Sequence, residues 1–229
     1  MGTAKGAGRT IGVLLLAQIA AGVLVSLVLL GPVFTVSPGF LVNAATHSLQ
    51  VSLSVVVGLA AGALYVAIAI AALPIFRRHS HATALWFLAL AVVCFSLTAV
   101  ENTTVLSLLS LSQAYANAGP AVDELFQSLR VVVASARNWA HYVSLIVAGG
   151  MIFVLYGTLY RFALVPRALA AFGLGAVMLQ LAAVTMPLFG QPIVFLMLLP
   201  LGLSHAALAL WLIVKGFAAS QPPAATLRA

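Results

Sequence analysis

Six long apolar segments constrain the fold of this chain more than any other feature. A helix of about 20 apolar residues rises about 30 Å, which matches the hydrocarbon core of a bilayer. The segments cover residues 11–30, 49–73, 84–111, 139–160, 168–189 and 193–214. The chain is 64% hydrophobic and 6% charged, so its polar side chains are too few to cover a water-soluble protein of 229 residues. We therefore predict an all-α, polytopic bundle of six transmembrane helices.

Most connections between these segments are short. Only Gly190, Gln191 and Pro192 separate the fifth segment from the sixth, a pattern typical of a tight turn between antiparallel helices. The exception is residues 112–138, which we predict to be a polar outer loop with a short interfacial helix after Pro120. Residues 1–217 are expected to form a single membrane domain, and residues 218–229 a flexible cytoplasmic tail.

The distribution of Lys and Arg predicts the orientation, because positive charge near the end of a span resists translocation. Eight of the ten cations flank one set of span ends and two flank the other. The eight are Lys5, Arg9, Arg77, Arg78, Arg161, Arg167, Lys215 and Arg228; the two are Arg130 and Arg137. We therefore predict that the N and C termini are both cytoplasmic. The net charge of +7 then reflects topology, and the expected partner is the lipid bilayer rather than a nucleic acid.

Glu101 is the only acidic residue inside a predicted span. It follows Trp86 by fifteen residues, or about 22 Å of helical rise, which places it in the outer third of the hydrocarbon core. An acid that faces lipid is costly, so we expect Glu101 to face the bundle and either pair with a His or remain protonated. A purely structural role for this acid is the alternative.

Polar residues of the other spans also concentrate in the predicted outer half. Asn138 and His141 share a helical face at the level of Glu101, and His205 and Gln180 lie nearer to mid-depth. The inner half is almost wholly apolar, apart from Gln18. The candidate residues of a ligand or ion cavity are Glu101, Asn102, Asn138, His141, His205, His47 and Gln180. Each His also has a structural alternative, as an interfacial residue or as a hydrogen bond between helices.

Three other features bear on packing. Gly58 and Gly62 form a small-xxx-small pattern that allows two helices to approach closely. Tyr156 and Tyr160 lie near the predicted inner end of the fourth span and are typical of an interfacial aromatic belt. Cys94, the single cysteine, lies within the third span, where apolar surroundings would make its thiol inert.

A metal centre is a weaker interpretation of the same residues. His47, Glu101, His141 and His205 are a chemically sensible set of zinc ligands, but they come from four separate helices and lack a ligand motif. Haem would require two opposed His at matching depth, and His141 and His205 are mismatched by this count. The sequence therefore leaves the cofactor open.

Three functions are compatible with this pattern. The preferred hypothesis is binding or transport of a small molecule or ion through an outward-open polar cavity centred on Glu101. The first alternative is a membrane-embedded enzyme, either metal-dependent or using Glu101 as a general acid on a lipophilic substrate. The second is a scaffold or assembly partner without a ligand. The oligomeric state is left open.

Three stretches of the chain resemble a known family. They are ALPIFRR (72–78), YRFALVPRALAAFGL (160–174) and LALWLIVKGF (208–217). They resemble the bacterial integral-membrane proteins grouped as domain of unknown function 4386, and the likeness covers nearly the whole chain. The resemblance implies a compact multi-pass protein of the bacterial cytoplasmic (inner) membrane, without an established activity, in which an acid is usual in the third span. Here that acid is Glu101. The family often has His-Asp-Trp where this chain has Arg137, Asn138 and Trp139, and a Glu near the position of His205.

Overall fold

The structure, a computed structural model, describes residues 2–118 and 123–218, with side chains from Lys5 onward. These residues form eight α-helices and no strand. The helices are α1 (Gly2–Val23), α2 (Gly31–Thr35), α3 (Phe40–Thr46), α4 (Ser48–Arg77), α5 (His81–Asn117), α6 (Asp123–Arg161), α7 (Arg167–Thr185) and α8 (Leu199–Val214). A π-helical segment, Leu24–Leu29, continues α1, and two 3₁₀ turns, Met186–Phe189 and Phe195–Leu198, lie between α7 and α8.

Six of the helical stretches are long and apolar enough to cross a membrane. They are Lys5–Thr35, Ser48–Arg77, His81–Asn117, Asp123–Arg161, Arg167–Phe189 and Phe195–Val214. Large apolar side chains such as Leu27, Val56 and Leu203 are exposed on their outer faces, as expected where lipid is the solvent. The predicted all-α fold with six spans is confirmed.

Two of the spans are longer than the sequence indicated. Helix α5 has 37 residues and α6 has 39, which corresponds to lengths of about 55 Å and about 58 Å. The predicted loop at 112–138 is therefore wrong for most of the described residues in it, because 112–117 continue α5 and 123–138 begin α6. Neither piece contains Gly or Pro, so nothing in them stops a helix. The predicted interfacial helix is the first part of α6, with Asp123 and Glu124 in its first turn.

The predicted tail at 218–229 lies outside the described residues, except for Ala218.

The six spanning helices form a closed ring. Helix α1 packs against α4, α4 against α5, α5 against α6, α6 against α7, and α7 against α8. The ring closes because α8 packs against α1, and there Arg9 Nε donates a hydrogen bond to the carbonyl oxygen of Ile213 (3.3 Å). Each helix therefore has one face toward lipid and one toward a space that all six surround.

The two ends of the ring differ in charge. The basic end is the set of helix ends that carries Lys5, Arg9, Arg77, Arg78, Arg161, Arg167 and Lys215. The opposite end, called the far end below, carries Asp123, Glu124 and Arg130, and Glu101 and Arg137 lie between the two ends in the half nearer to it. A large apolar core that includes Phe76, Phe87 and Leu212 fills the half near the basic end. A smaller core that includes Val33 and Leu108 joins α2 and α3 to α5 near the far end.

Candidate functional site

Glu101 contacts two basic side chains inside the ring, Arg137 and His141. His141 Nδ1 donates a hydrogen bond to Glu101 Oε1 over 2.8 Å, and an Arg137 guanidinium nitrogen lies 3.5 Å from the same oxygen. The Glu101 side chain is 18% exposed, so it is largely buried within the bundle. The expectation that Glu101 faces the bundle and pairs with a His is confirmed.

Helix lengths place this pair at one depth in both helices. Glu101 lies twenty residues after the start of α5, and His141 lies twenty residues before the end of α6. Each residue is therefore about 30 Å from the basic end, which is about one thickness of a hydrocarbon core. The two residues therefore lie at the same depth, which allows α5 and α6 to bring them together.

Arg137 is the site residue that the sequence did not single out. It precedes His141 by four residues, a separation that puts both side chains on one face of α6. Its guanidinium carbon lies 5.2 Å from the centre of the Phe34 ring, so a cation–π contact ties α6 to α2. Its Nε is buried and has no hydrogen-bond partner within the described part of the chain. The spacing of four residues between Arg137 and His141 is the sequence signal that indicates that the two side chains share a helical face.

Asn138 does not join this site. It is exposed in a surface groove of α6 that it shares with Arg130, Trp139 and Tyr142, and its nearest polar contact is Arg137 (3.4 Å). Asn138 precedes His141 by three residues, so its side chain is rotated by about 60° from His141 around the helix axis. Arg137 precedes His141 by four residues and is rotated by about 40° in the opposite direction, toward Glu101. The prediction that Asn138 faces the Glu101 site is therefore wrong.

A cavity of about 230 Å³, here called the Glu101 cavity, lies beside the ion pair. Side chains from α1, the π-helical segment, α4, α5 and α6 line it, among them Glu101, Asn102 and His141. Asn102 Nδ2 donates to the carbonyl oxygen of Thr98 (2.8 Å), and its side chain packs on Gly58. Gly62 packs on Thr98, so the small residues bring α4 close to α5, as predicted. π-helical turns like the one at this wall are frequent at functional sites.

A second cavity, the central cavity, has a volume of about 320 Å³ and lies in the middle of the ring. Side chains from all six spanning helices line it. It adjoins the Glu101 cavity, because Gln18, Tyr65 and Leu145 line both. Its volume falls within the range of sites for small organic ligands. The lining is mostly apolar, and its polar members include the predicted site residues Gln180 and His205.

Gln18 and Gln180 have unused hydrogen-bonding groups at the central cavity. The Gln18 amide nitrogen and the Gln180 amide oxygen are buried, and neither has a partner among residues 2–118 and 123–218. An unsatisfied buried polar group costs about 1–3 kcal/mol. Two unsatisfied polar groups on the wall of one cavity are unusual, because buried polar groups in native proteins nearly always have hydrogen-bond partners.

His205 is held in one orientation. Its Nδ1 lies 3.1 Å from the carbonyl oxygen of Leu201, which can only accept, so Nδ1 carries the proton. Tyr156 stands edge-on to the His205 ring, with 5.5 Å between centres, and its hydroxyl donates to Ser204 Oγ (3.2 Å). Tyr156 is 0% exposed, so its assignment to an aromatic belt is wrong. The more exposed Tyr160 remains compatible with that assignment.

The four weak metal candidates do not converge. His47 is exposed at the junction of α3 and α4, where its Nδ1 contacts the carbonyl oxygen of Asn43 (2.9 Å). His205 belongs to the central cavity, and only Glu101 and His141 touch each other. No group of three or more His, Cys, Asp or Glu with metal-binding geometry occurs in the part of the chain that the structure describes. The sequence could not reveal this separation, because depth alone does not define which helices are neighbours.

Comparison with known proteins identifies the family. No curated protein and no solved structure was found to match the chain. The family model described as "Domain of unknown function (DUF4386)" matches residues 10–216, which include α1 from Thr10 onward, the other five spanning helices and the residues that line both cavities. This protein is a multi-pass membrane protein that belongs to the DUF4386 family.

Proposed function

We propose that the protein binds a small molecule in the central cavity and exchanges it with the outside through the Glu101 cavity. The observation that carries this proposal is the contact between the two cavities through Gln18, Tyr65 and Leu145. One cavity offers an apolar interior inside the ring, and the other offers a charged group near the boundary of the apolar layer. Together they resemble a binding chamber with a polar entrance.

Glu101 is the switchable group in this proposal. Its carboxylate contacts Arg137 and His141 of α6, and the other lining side chains of the Glu101 cavity carry no formal charge. Protonation of Glu101 weakens both contacts at once and loosens α5 from α6 beside the entrance. Binding and release of the ligand then depend on pH.

The orientation of the chain is part of the same proposal. Both termini are proposed to be cytoplasmic and the far end with Glu101 to be outside, and the excess of Lys and Arg at the basic end supports this orientation. The family resemblance supports a bacterial cytoplasmic membrane.

The test is a search for a retained molecule. The wild type and Glu101→Gln are purified in mild detergent and analysed by native mass spectrometry at about pH 5 and about pH 8, the range in which His changes charge. We expect a bound small molecule whose occupancy depends on pH in the wild type but not in Glu101→Gln. Glu124→Gln, which changes an exposed acid of α6, is the matched control and should behave as the wild type does.

Other outcomes favour other functions. If occupancy and its pH dependence survive unchanged in Glu101→Gln, the assigned role of Glu101 is wrong. Stoichiometric metal or a haem band lost in that variant would favour the enzyme. If no molecule is retained and the variant changes only stability, the scaffold is the better interpretation.

A further inference from the structure

We propose that the ligand of the central cavity is an uncharged, mostly apolar molecule with one hydroxyl group, held by the amides of Gln18 and Gln180. This inference rests on the proposed function and adds the chemical class of the ligand. It comes from the composition of the cavity wall and from the unused hydrogen-bonding groups on it.

The wall excludes charged ligands. None of the side chains that line the central cavity is Asp, Glu, Lys or Arg. Most are aliphatic or aromatic, including Ile68, Phe87, Met151 and Leu155. A carboxylate or an ammonium group would lose its hydration there and gain no counter-ion, and such a transfer is strongly unfavourable.

Two amides from opposite parts of the chain supply the polar contacts. Gln18 belongs to α1 and Gln180 to α7, and within residues 5–118 and 123–218 the Gln18 amide nitrogen and the Gln180 amide oxygen are buried without a hydrogen-bond partner. Gln180 is only 6% exposed, so bulk water does not satisfy it. An amide presents both donors and an acceptor, and a hydroxyl group complements it by donating one hydrogen bond and accepting another.

His205 fits an uncharged ligand as well. Its Nδ1–H is directed to Leu201, which leaves Nε2 of the neutral ring as an acceptor, and the His205 side chain lines the cavity. A hydroxyl group can donate to this nitrogen, whereas a hydrocarbon lacking a hydroxyl cannot. The wall therefore selects a lipophilic alcohol over both a charged amphiphile and a plain hydrocarbon.

The experiment is photoaffinity labelling of the full chain in nanodiscs. The probe is a long-chain primary alcohol with a diazirine in the chain, and labelled residues are located by mass spectrometry of peptides. The competitors are the parent alcohol and the amine, carboxylate and alkane of equal chain length. We expect labels on central-cavity residues such as Met151 and Leu201, competed at least tenfold better by the alcohol than by the other three.

The control variant is Gln18→Leu/Gln180→Leu, which keeps the approximate volume and removes both amides. We expect it to remain folded, as judged by an unreactive buried Cys94, and to lose the preference for the alcohol over the alkane. If the variant keeps that preference, the amides do not hold the hydroxyl group and this inference is overturned.

The remaining outcomes separate this inference from the proposed function. Cavity labelling that the amine or the carboxylate competes as well as the alcohol overturns the ligand class but retains binding in the ring. Labels confined to lipid-facing residues such as Leu203 or Val214, with every probe, overturn both.

Discussion

Gly58 of α4 faces Asn102 of α5 so closely that a Cβ atom on Gly58 would lie 2.8 Å from Asn102 Oδ1 and 3.0 Å from Nδ2. Both residues line the Glu101 cavity. Asn102 in turn donates to the carbonyl oxygen of Thr98. The position of this amide depends on the absence of a side chain on the neighbouring helix.

Gly58→Ala should displace the Asn102 amide and break its bond to Thr98. We expect a loss of about 1 kcal/mol in the free energy of unfolding, the size of one hydrogen bond. The double variant Gly58→Ala/Asn102→Ala should cost less than the sum of the two single changes, because the displaced group is gone. Gly150→Ala, where a Cβ meets nothing within 4 Å, is the control. If the free-energy costs of the two single changes were additive in the double variant, the contact between Gly58 and Asn102 would be contradicted.

The contact between Glu101 and His141 predicts coupling in a double-mutant cycle. Combining Glu101→Gln with His141→Gln should give an interaction free energy of about 0.5–3 kcal/mol, the range found for residues in direct contact. Equilibrium unfolding in mixed micelles provides the measurement. His47→Gln, at the junction of α3 and α4, should show no coupling to Glu101→Gln. Coupling of equal size to both His residues would show that the effect is not local.

Gly173 provides the space that the Tyr156 ring occupies. A Cβ atom on Gly173 would overlap the ring, which is fully buried and cannot move toward solvent. We expect Gly173→Ala to lower the free energy of unfolding by about 1–3 kcal/mol, as overpacking does, and to disturb His205. Gly175→Ala, two residues away with open space around it, should be neutral. Equal thermal stability of the two variants would be inconsistent with this packing.

Cys94 should report on unfolding. It is the only cysteine of the chain and is 1% exposed, so a maleimide should not label it in the folded protein. Labelling should appear only when heat or sodium dodecyl sulfate opens the bundle. Rapid labelling of the folded wild type would mean that α5 is not packed as described.

The orientation can be tested with two cysteines on one helix. Ala82 and Ala116 are exposed near opposite ends of α5, and each is changed to Cys in a Cys94→Ala background. We expect a membrane-impermeant maleimide to label Ala116→Cys in intact cells, and Ala82→Cys only after the cells are opened. The reverse pattern would place the basic end outside.

The spans could be predicted because the thickness of the bilayer dictates their length. The extensions of α5 and α6 could not be predicted, because hydropathy indicates only the part of a helix that lies inside lipid. Residues 123–138 of α6 are helical although they are not a purely apolar segment. The pairing of Glu101 with a His could be predicted, since a buried acid requires a partner. Arg137 does not stand out in the sequence, because a positive charge near the end of a span is typical of an orientation signal.

Other site residues depend on contacts between distant helices. Tyr156 lies near the end of its span, a position that favours an aromatic belt. Its ring is buried instead, because Gly173 on the next helix has no side chain and leaves space for it. Gln18 and Gln180 share a cavity only because the ring closes, and no local pattern indicates that α1 and α7 line one space.

The packing of α8 against α1 also has a consequence for how the protein is made. A ribosome delivers the spans one after another, and the wall of the central cavity includes residues from the first and the last of them. After five spans have entered the bilayer, the chamber is still open to lipid on one side. The polar groups of α1 and α7 are therefore exposed to lipid until α8 is inserted. A ligand can be enclosed in the central cavity only after α8 has been translated.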